Sequence, residues 1–442
     1  MKKLSLILCC IMFSTLSLAN QVYNYKLNNG LKLLVKVDRR APVVVSQIWY
    51  KIGSSYEPQG LTGISHVLEH MMFQGTKKYP PGKLMRLVAA HGGEQNAATS
   101  YDFTFYYQKL PAKNLALSFK LEADRLTNLL LLNKRFAKEL QVVIEERRLR
   151  TDNNPQALTL ERFFAAANIG TAYHHPIIGW MHDIKHLTIN DLKTWYQQYY
   201  APNNAILIVV GDVNPNQVYT LAKKYFSQIK AKKLPDTKPQ RNVPPLGKRT
   251  VTVNAPAKIP IIFIGYNVPS IKTATKSWYP YALSAITAIL SAGKSSRLPK
   301  ELVRHQQIAA WAEAEYDPFK RLSDVFILAS MPTKNHSIKQ LEQALLAQIK
   351  RLQTTLVSKQ ELQKIKTQLT AQKIFAQDSL EMQAEEFGRL ESAGLSWKIG
   401  KNFIREINKI TPKQIKEVAK KFLNDKHLTI AILKPQGSQH EN

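Results

Sequence analysis

The segment GISHVLEHMMFQGT, residues 63 to 76, constrains this 442-residue chain more than any other stretch. It carries His66, Glu69 and His70, and residues four apart in a helix lie on one face. Most other positions of this helix are apolar, which predicts a helix surrounded by protein. Two histidines and a carboxylate in such surroundings are costly unless they are hydrogen-bonded or bind a metal. The segment therefore predicts a metal centre.

Zinc is the metal that this pattern favours. Imidazole nitrogen is a common zinc ligand, and a carboxylate held beside the metal can take a proton from water. We therefore expect His66 and His70 to bind Zn²⁺ and Glu69 to act as the general base. The alternative is a pair of core histidines hydrogen-bonded to the backbone, and a third ligand would make that alternative less favourable.

The third ligand is expected in the segment KELQVVIEERR, which begins at Lys138. A catalytic zinc site with two histidines is most simply completed by Glu or Asp. Helical phase places Glu139 and Glu146 two turns apart on one stripe, whereas Glu145 falls on another face. We expect Glu146 to be the ligand and Glu139 to lie beside the site. The alternative for both is a salt-bridged helix in a basic segment.

The first 19 residues resemble a secretory signal peptide. Lys2 and Lys3 precede an apolar run that ends in small residues, and the run is short for a membrane anchor, although an uncleaved anchor is the alternative. Both cysteines lie in this segment, so the mature chain would contain neither a disulfide nor a cysteine metal ligand. No later segment is apolar enough to span a membrane. We expect a periplasmic or secreted protein.

The charge of the chain is strongly positive. Lys and Arg number 62 against 32 Asp and Glu, a formal +30 that becomes +28 after loss of Lys2 and Lys3. Such an excess predicts an acidic partner, acidic peptides or an anionic membrane surface. Nucleic acid is not expected, because no basic-aromatic motif is present and the signal directs the chain elsewhere.

A long internal repeat divides the chain. Residues 187–213 and 410–436 share one helix–turn–strand pattern at a shift of 223 residues without a gap, and each copy opens with a threonine that can cap a helix. This period predicts two similar domains rather than a solenoid. We expect a metal-bearing domain at 20–229, a Lys- and Pro-rich linker at 230–249 and a second domain at 250–437. In the second domain an apolar helix at 277–290 replaces the metal helix and offers no ligand.

Taken together, these motifs resemble the inverted zinc-motif peptidases of family M16, related to pitrilysin, insulin-degrading enzyme and the mitochondrial processing peptidase. The resemblance covers nearly the whole mature chain, and the size is similar to that of the short bacterial members. It is carried by four features: H-x-x-E-H at 66–70, F-x-G-T at 73–76, the glutamates at 139 and 146, and GGEQNAATSYDFTFY at 92–106.

The resemblance implies an α+β fold of two homologous domains, each a mixed β-sheet packed with helices, and two such chains closing like a clamshell around a peptide. By similarity, the ligands are His66, His70 and Glu146, the base is Glu69, and Glu139 supports the site. Asn96 and Ala97 resemble the positions on an edge strand that binds the substrate as an added strand, which backbone pairing makes possible for many sequences.

One departure from the family pattern concerns the second domain. The family places an Arg and, seven residues later, a Tyr there to stabilise the oxyanion; this chain has Arg304 and Trp311. An indole has one N–H donor with a different geometry, and loss of an oxyanion donor costs about 10²-fold or more in rate. Tyr316 is five residues further, so in a continuous strand it faces the other way. We therefore expect a heterodimer in which a homologous chain contributes the Arg/Tyr pair; a homodimer that uses Trp311 is the alternative.

The leading functional hypothesis is thus a zinc metalloendopeptidase that acts on short or unfolded peptides. A second hypothesis is a non-catalytic, chaperone-like subunit that binds peptide with the same fold. A third, a protein that binds anionic surfaces, rests on charge alone. The intact H-x-x-E-H motif and Glu146 argue against the second.

Overall fold

The computed structural model describes residues 21–236, 243 and 247–436. The predicted signal peptide and part of the predicted linker lie outside these residues. Contacts divide the described chain into two compact units, each assembled from several segments. Unit 1 contains residues 21–141, 177–236 and 376–392, and unit 2 contains residues 142–176, 243, 247–375 and 393–436.

Unit 1 contains a six-stranded mixed sheet in the order β1–β2–β6–β3–β5–β4, in which β2 and β6 are parallel and all other neighbours are antiparallel. Its strands are Val22–Lys26 (β1), Lys32–Val37 (β2), Val43–Tyr50 (β3), Glu94–Thr99 (β4), Thr104–Pro111 (β5) and Ala205–Gly211 (β6). Every residue of β6 is buried, so this strand lies in the core, whereas β4 is an outer strand.

Within the residues that the structure describes, unit 2 repeats this sheet without a counterpart of β1. Its order is β7–β11–β8–β10–β9, with β7 and β11 parallel and the other pairs antiparallel. The strands are Arg249–Pro256 (β7), Ile261–Val268 (β8), Ala309–Glu315 (β9), Asp324–Pro332 (β10) and Leu428–Gln436 (β11). Thus β9 occupies the edge position that β4 has in unit 1.

The described residues form fourteen α-helices. They are Ile64–Met71 (α1), Lys83–Ala90 (α2), Leu115–Asn128 (α3), Asn133–Arg147 (α4), Pro155–Ala167 (α5), Met181–His186 (α6), Ile189–Tyr199 (α7), Pro215–Phe226 (α8), Tyr279–Ser291 (α9), Ile338–Thr354 (α10), Lys359–Ala376 (α11), Leu380–Ser392 (α12), Lys398–Lys409 (α13) and Pro412–Phe422 (α14). The division after residue 141 falls inside α4, which is uninterrupted, and a π-helical turn at Arg148–Asp152 extends it. None of the helices in the described ranges combines the length and apolar character needed to cross a bilayer.

The predicted repeat is confirmed at the level of elements. The α7–β6 pair and the α14–β11 pair have the same layout, and Thr188 and Thr411 each cap their helix with a complete capping box. The strand register also agrees, because Ile206 pairs with Lys32, and Thr429, which is 223 residues after Ile206, pairs with Arg249. Two similar α+β units therefore make up the fold, as predicted.

In each unit, one helix from a distant part of the sequence covers the sheet. Helix α12 packs on β3 and β6 in unit 1, and α5 packs on β7, β8 and β11 in unit 2. The contacts are complementary in size: a Cβ at Gly388 would collide with the indole of Trp49, and a Cβ at Gly265 would collide with the ring of Phe163. In unit 1 the strand carries the large side chain and the helix the glycine, whereas in unit 2 the helix carries the large side chain.

Candidate metal centre

Helix α1, which carries the H-x-x-E-H motif, begins at a tight turn that requires glycine. Gly63 precedes the helix with φ 89°, a left-handed conformation that side chains disfavour. An added Cβ there would also lie 2.5 Å from the carbonyl oxygen of Ile178. The turn and this close backbone approach fix the direction in which α1 enters the core.

Two buried acids hold the loop before α1. Glu57 accepts hydrogen bonds from the backbone N–H groups of Gly63 (2.7 Å) and Ser65 (2.8 Å), which are among the donors left without partners at a helix start. Asp183 accepts from the hydroxyl of Thr62 at 2.6 Å. Burial, assisted by the nearby charge of Asp183, raises the pKa of Glu57 to about 7 despite its two backbone donors.

The side chains of His66, His70 and Glu146 lie close together. One ligand atom from each lies within 4.8 Å of the other two, and among the described residues this is the one such group of three or more potential ligands. Helix α1 supplies the imidazoles one turn apart, and the last turn of α4 supplies the carboxylate. Two imidazoles and one carboxylate fit zinc, whose catalytic sites combine three such ligands with an open position. Arg150 also contacts this carboxylate, with 2.8 Å between its Nη1 and Glu146 Oε1.

Glu139 lies behind His70, on the stripe of α4 that helical phase indicated. Its Oε2 is 3.5 Å from His70 Nδ1, and its Oε1 accepts a hydrogen bond from the Gln74 amide at 2.9 Å. A carboxylate on the Nδ1 side favours the tautomer that carries its proton there and directs Nε2 toward a metal. Glu139 can therefore orient an imidazole without being a ligand.

Glu69, one residue before His70, contacts the neighbouring strand β4. The Thr99 hydroxyl at the end of β4 donates to Glu69 Oε2 at 2.5 Å. The carboxylate of the expected base is thus attached to a strand as well as to its own helix.

Asn96 and Ala97, the expected substrate-binding residues, lie on β4, which is the outer strand of the unit 1 sheet beyond β5. The Asn96 side chain is exposed, and its Oδ1 accepts the N–H of Ala97 at 2.9 Å. An outer strand can pair with an added extended peptide. The Asn96 amide satisfies one of the backbone donors on this strand, and it would have to move if a peptide used the same N–H.

In unit 2 the counterpart of α1 is α9, whose sequence YPYALSAITAILS contains no potential metal ligand. Arg304 is exposed at the end of a π-helical segment, Leu298–His305, and Trp311 on β9 packs against a cluster that includes Phe163. The Tyr316 hydroxyl donates to the carbonyl of Pro269 at 2.6 Å, so it has a structural partner. The structure therefore puts Arg304 and Trp311 in a different unit from α1 and β4.

Three residues at this site do not emerge from sequence reasoning: Glu57, Gln74 and Thr99. Each acts through a tertiary hydrogen bond. No local spacing rule predicts that a glutamate six residues before the start of a helix accepts hydrogen bonds from its first N–H groups. Thr99 lies inside the segment 92–106 that carries the family resemblance, which is the one sequence signal that points to it.

Known proteins are similar to this chain along most of its length. The family profile described as Insulinase (Peptidase family M16) matches residues 32–179, and the one described as Peptidase M16 inactive domain matches residues 186–369. The zinc protease PqqE of Helicobacter pylori is 33% identical over 420 residues, which cover 92% of each chain.

Solved structures share the fold. A protease from Helicobacter pylori superposes with a TM-score of 0.89 at 32% identity, covering 94% of this chain and all of the other. The periplasmic protease PqqL from Escherichia coli superposes with a TM-score of 0.78 at 20% identity, covering 94% of this chain and 48% of PqqL. The profile matches and the near-full-length similarity to PqqE place this chain in peptidase family M16.

Proposed function

We propose that this chain is a zinc-dependent endopeptidase that hydrolyses short or unfolded peptides. The observation that carries the proposal is that ligand atoms of His66, His70 and Glu146 lie within 4.8 Å of one another, and that both histidines share a face of α1 with Glu69. Membership of a family with relatives named as zinc proteases supports it.

In the proposed reaction, zinc held at this site would supply Lewis acidity toward the peptide carbonyl and the attacking water. Glu69 takes the proton from the attacking water and later delivers it to the leaving amine. His66, His70 and Glu146 would hold the metal, and Glu139 would orient His70. The open edge of β4, at Asn96 and Ala97, pairs with the peptide backbone, so recognition depends little on the substrate sequence.

The test combines metal analysis with a substitution of the base. We expect the purified mature chain to contain one zinc per chain, and Glu69→Gln to retain this zinc but lose peptide hydrolysis, because an amide cannot accept the proton. Glu145→Gln is the matched control, since Glu145 is an exposed glutamate of α4 that pairs with Arg148. Hydrolysis by Glu69→Gln at the wild-type rate would show that Glu69 is not the base.

We further propose that the active form contains two chains, with this chain as the metal-bearing half. Trp311 stands where the family has a tyrosine, and this chain spans about half of PqqL while covering 92% of the structure of the first half of PqqL. The preferred partner is a homologous chain with an Arg/Tyr pair, and the alternative is a homodimer that uses Arg304 and Trp311. Peptide hydrolysis by the mature chain, measured with and without such a partner, distinguishes the two.

A non-catalytic peptide-binding subunit is the second candidate. The description of the second-half profile as an inactive domain favours it, although this match covers residues 186–369 and not the H-x-x-E-H motif. If the purified chain binds peptide but contains no zinc and does not hydrolyse the peptide, it has this non-catalytic role.

For location, we propose the periplasm after removal of residues 1–19. The support is the signal-like sequence and the similarity to PqqL, which is described as periplasmic. N-terminal sequencing of the protein recovered from a periplasmic fraction tests it, with Asn20 expected as the first residue.

A further inference from the structure

The hydroxyl of Thr99 joins the strand that is expected to receive substrate to the residue that is expected to activate water. Thr99 is the last residue of β4, and its Oγ1 donates to Glu69 Oε2 at 2.5 Å. Both side chains are half-buried, so solvent competes weakly for this bond. The contact is internal to unit 1.

The direction of this hydrogen bond follows from its acceptor, and neighbouring residues fix where the donor lies. Thr99 pairs with Thr104 across the β4–β5 ladder, and their hydroxyl oxygens are 3.5 Å apart. Thr104 donates its own proton to the carbonyl of Ile52 at 3.0 Å. Because an ionised carboxylate can only accept, Thr99 donates its one proton to Glu69 at 2.5 Å, which is much shorter than its 3.5 Å contact with Thr104. The sheet thus fixes both the position of this donor and its acceptor.

We propose that Thr99 is a positioning residue for the general base. Its hydroxyl holds one carboxylate oxygen of Glu69 at a fixed place relative to β4. The position of the base is therefore also fixed relative to a peptide that pairs with β4. Misplacing a reacting group by about 1 Å can cost 10²-fold in rate, so a hydrogen bond that fixes a carboxylate oxygen of the base affects the reaction rate. This inference rests on the proposed peptidase function.

Two substitutions separate positioning from simple packing. Thr99→Val keeps the shape and strand preference of threonine but removes the donor, and Thr99→Ser keeps the donor but removes a methyl group. We expect Thr99→Val to lower kcat by about 10-fold or more, with KM, zinc content and Tm close to those of the wild type. We expect Thr99→Ser to recover most of kcat. Thr252→Val, at an exposed threonine of β7, is the matched control and should leave kcat unchanged.

Three results would contradict this proposal, and each has a different meaning. A Thr99→Val protein with wild-type kcat would show that the hydroxyl does not position the base. Equal losses in the valine and serine variants, together with a lower Tm, would assign Thr99 to packing. Absence of zinc or of hydrolysis in the wild-type assembly would instead refute the proposed function, and this inference with it.

Discussion

At the scale of single residues, the contact between Glu139 and His70 predicts a metal-affinity defect without loss of a ligand. Glu139→Gln would remove the charge that favours the metal-binding tautomer of His70 while it preserves side-chain size. We expect zinc affinity to fall by about 10- to 100-fold, as is typical when the partner of a ligating histidine is altered. Competition with a chromophoric zinc chelator measures it. Glu145→Gln on the same helix should bind zinc like the wild type, and an unaltered affinity in Glu139→Gln would exclude this role.

Glu57 predicts a pH dependence of stability. Its pKa is about 7 in the folded chain, above the ordinary 4.5, so between these pH values the folded state keeps a proton that the unfolded state has released. The protonated carboxyl therefore contributes about 3 kcal/mol to the free energy of unfolding below pH 4.5. This contribution decreases as the pH rises and is lost once the pH passes 7. Glu57→Gln should remove this slope. Unfolding by denaturant from pH 4.5 to 8 tests it, and equal slopes in the variant and the wild type would contradict the shift.

The residue scale also separates what the sequence can predict from what it cannot. Spacing within a helix reports which side chains share a face, and this selected Glu139 and Glu146 over Glu145 without any structure. Spacing does not report contacts between elements. The hydrogen bonds of Glu57, Gln74 and Thr99 depend on how helices, strands and loops pack, and so they follow only from the fold.

At the scale of elements, the contact of α12 with β3 depends on the absence of a side chain at Gly388. A Cβ there would collide with the indole of Trp49, which stacks on Phe105 with 4.1 Å between ring centroids and has little room to move. We expect Gly388→Ala to destabilise the chain by about 1–3 kcal/mol, because overpacking outweighs the higher helix propensity of alanine. Thermal unfolding measures this change. Arg389→Ala, at the exposed neighbouring position, should have little effect; a Gly388→Ala protein as stable as the wild type would mean that the helix can shift.

The sequence predicts most elements but not their membership of a unit. The repeat predicted the helix–turn–strand layout that α7–β6 and α14–β11 share, and threonine caps predicted the starts of α7 and α14. No local signal indicates that α5, from the first half of the sequence, packs on the sheet of unit 2, or that α12 packs on that of unit 1. Apolar periodicity indicates that a helix face is buried, and complementary pairs such as Trp49 with Gly388 determine where.

At the scale of the whole molecule, charge distinguishes one class of substrate. After loss of Lys2 and Lys3, 60 basic and 32 acidic residues remain, so at least 28 basic side chains have no acid available for one-to-one pairing, and the excess persists in any arrangement of the fold. Such a field attracts acidic peptides and raises their association rate, and salt screens it over a Debye length of about 10 Å at 0.1 M.

This field predicts the salt dependence of the proposed peptidase activity. For a peptide with several Asp and Glu residues, we expect kcat/KM to fall by about 10-fold between 0.02 and 0.3 M NaCl, because screening slows capture. For a peptide of the same length with Asn and Gln at those positions, the change should be small. Zinc content measured at both salt concentrations excludes loss of metal as the cause. If salt affects both peptides equally, the positive charge does not serve substrate capture, and an acidic protein partner or an anionic surface becomes the better explanation for it.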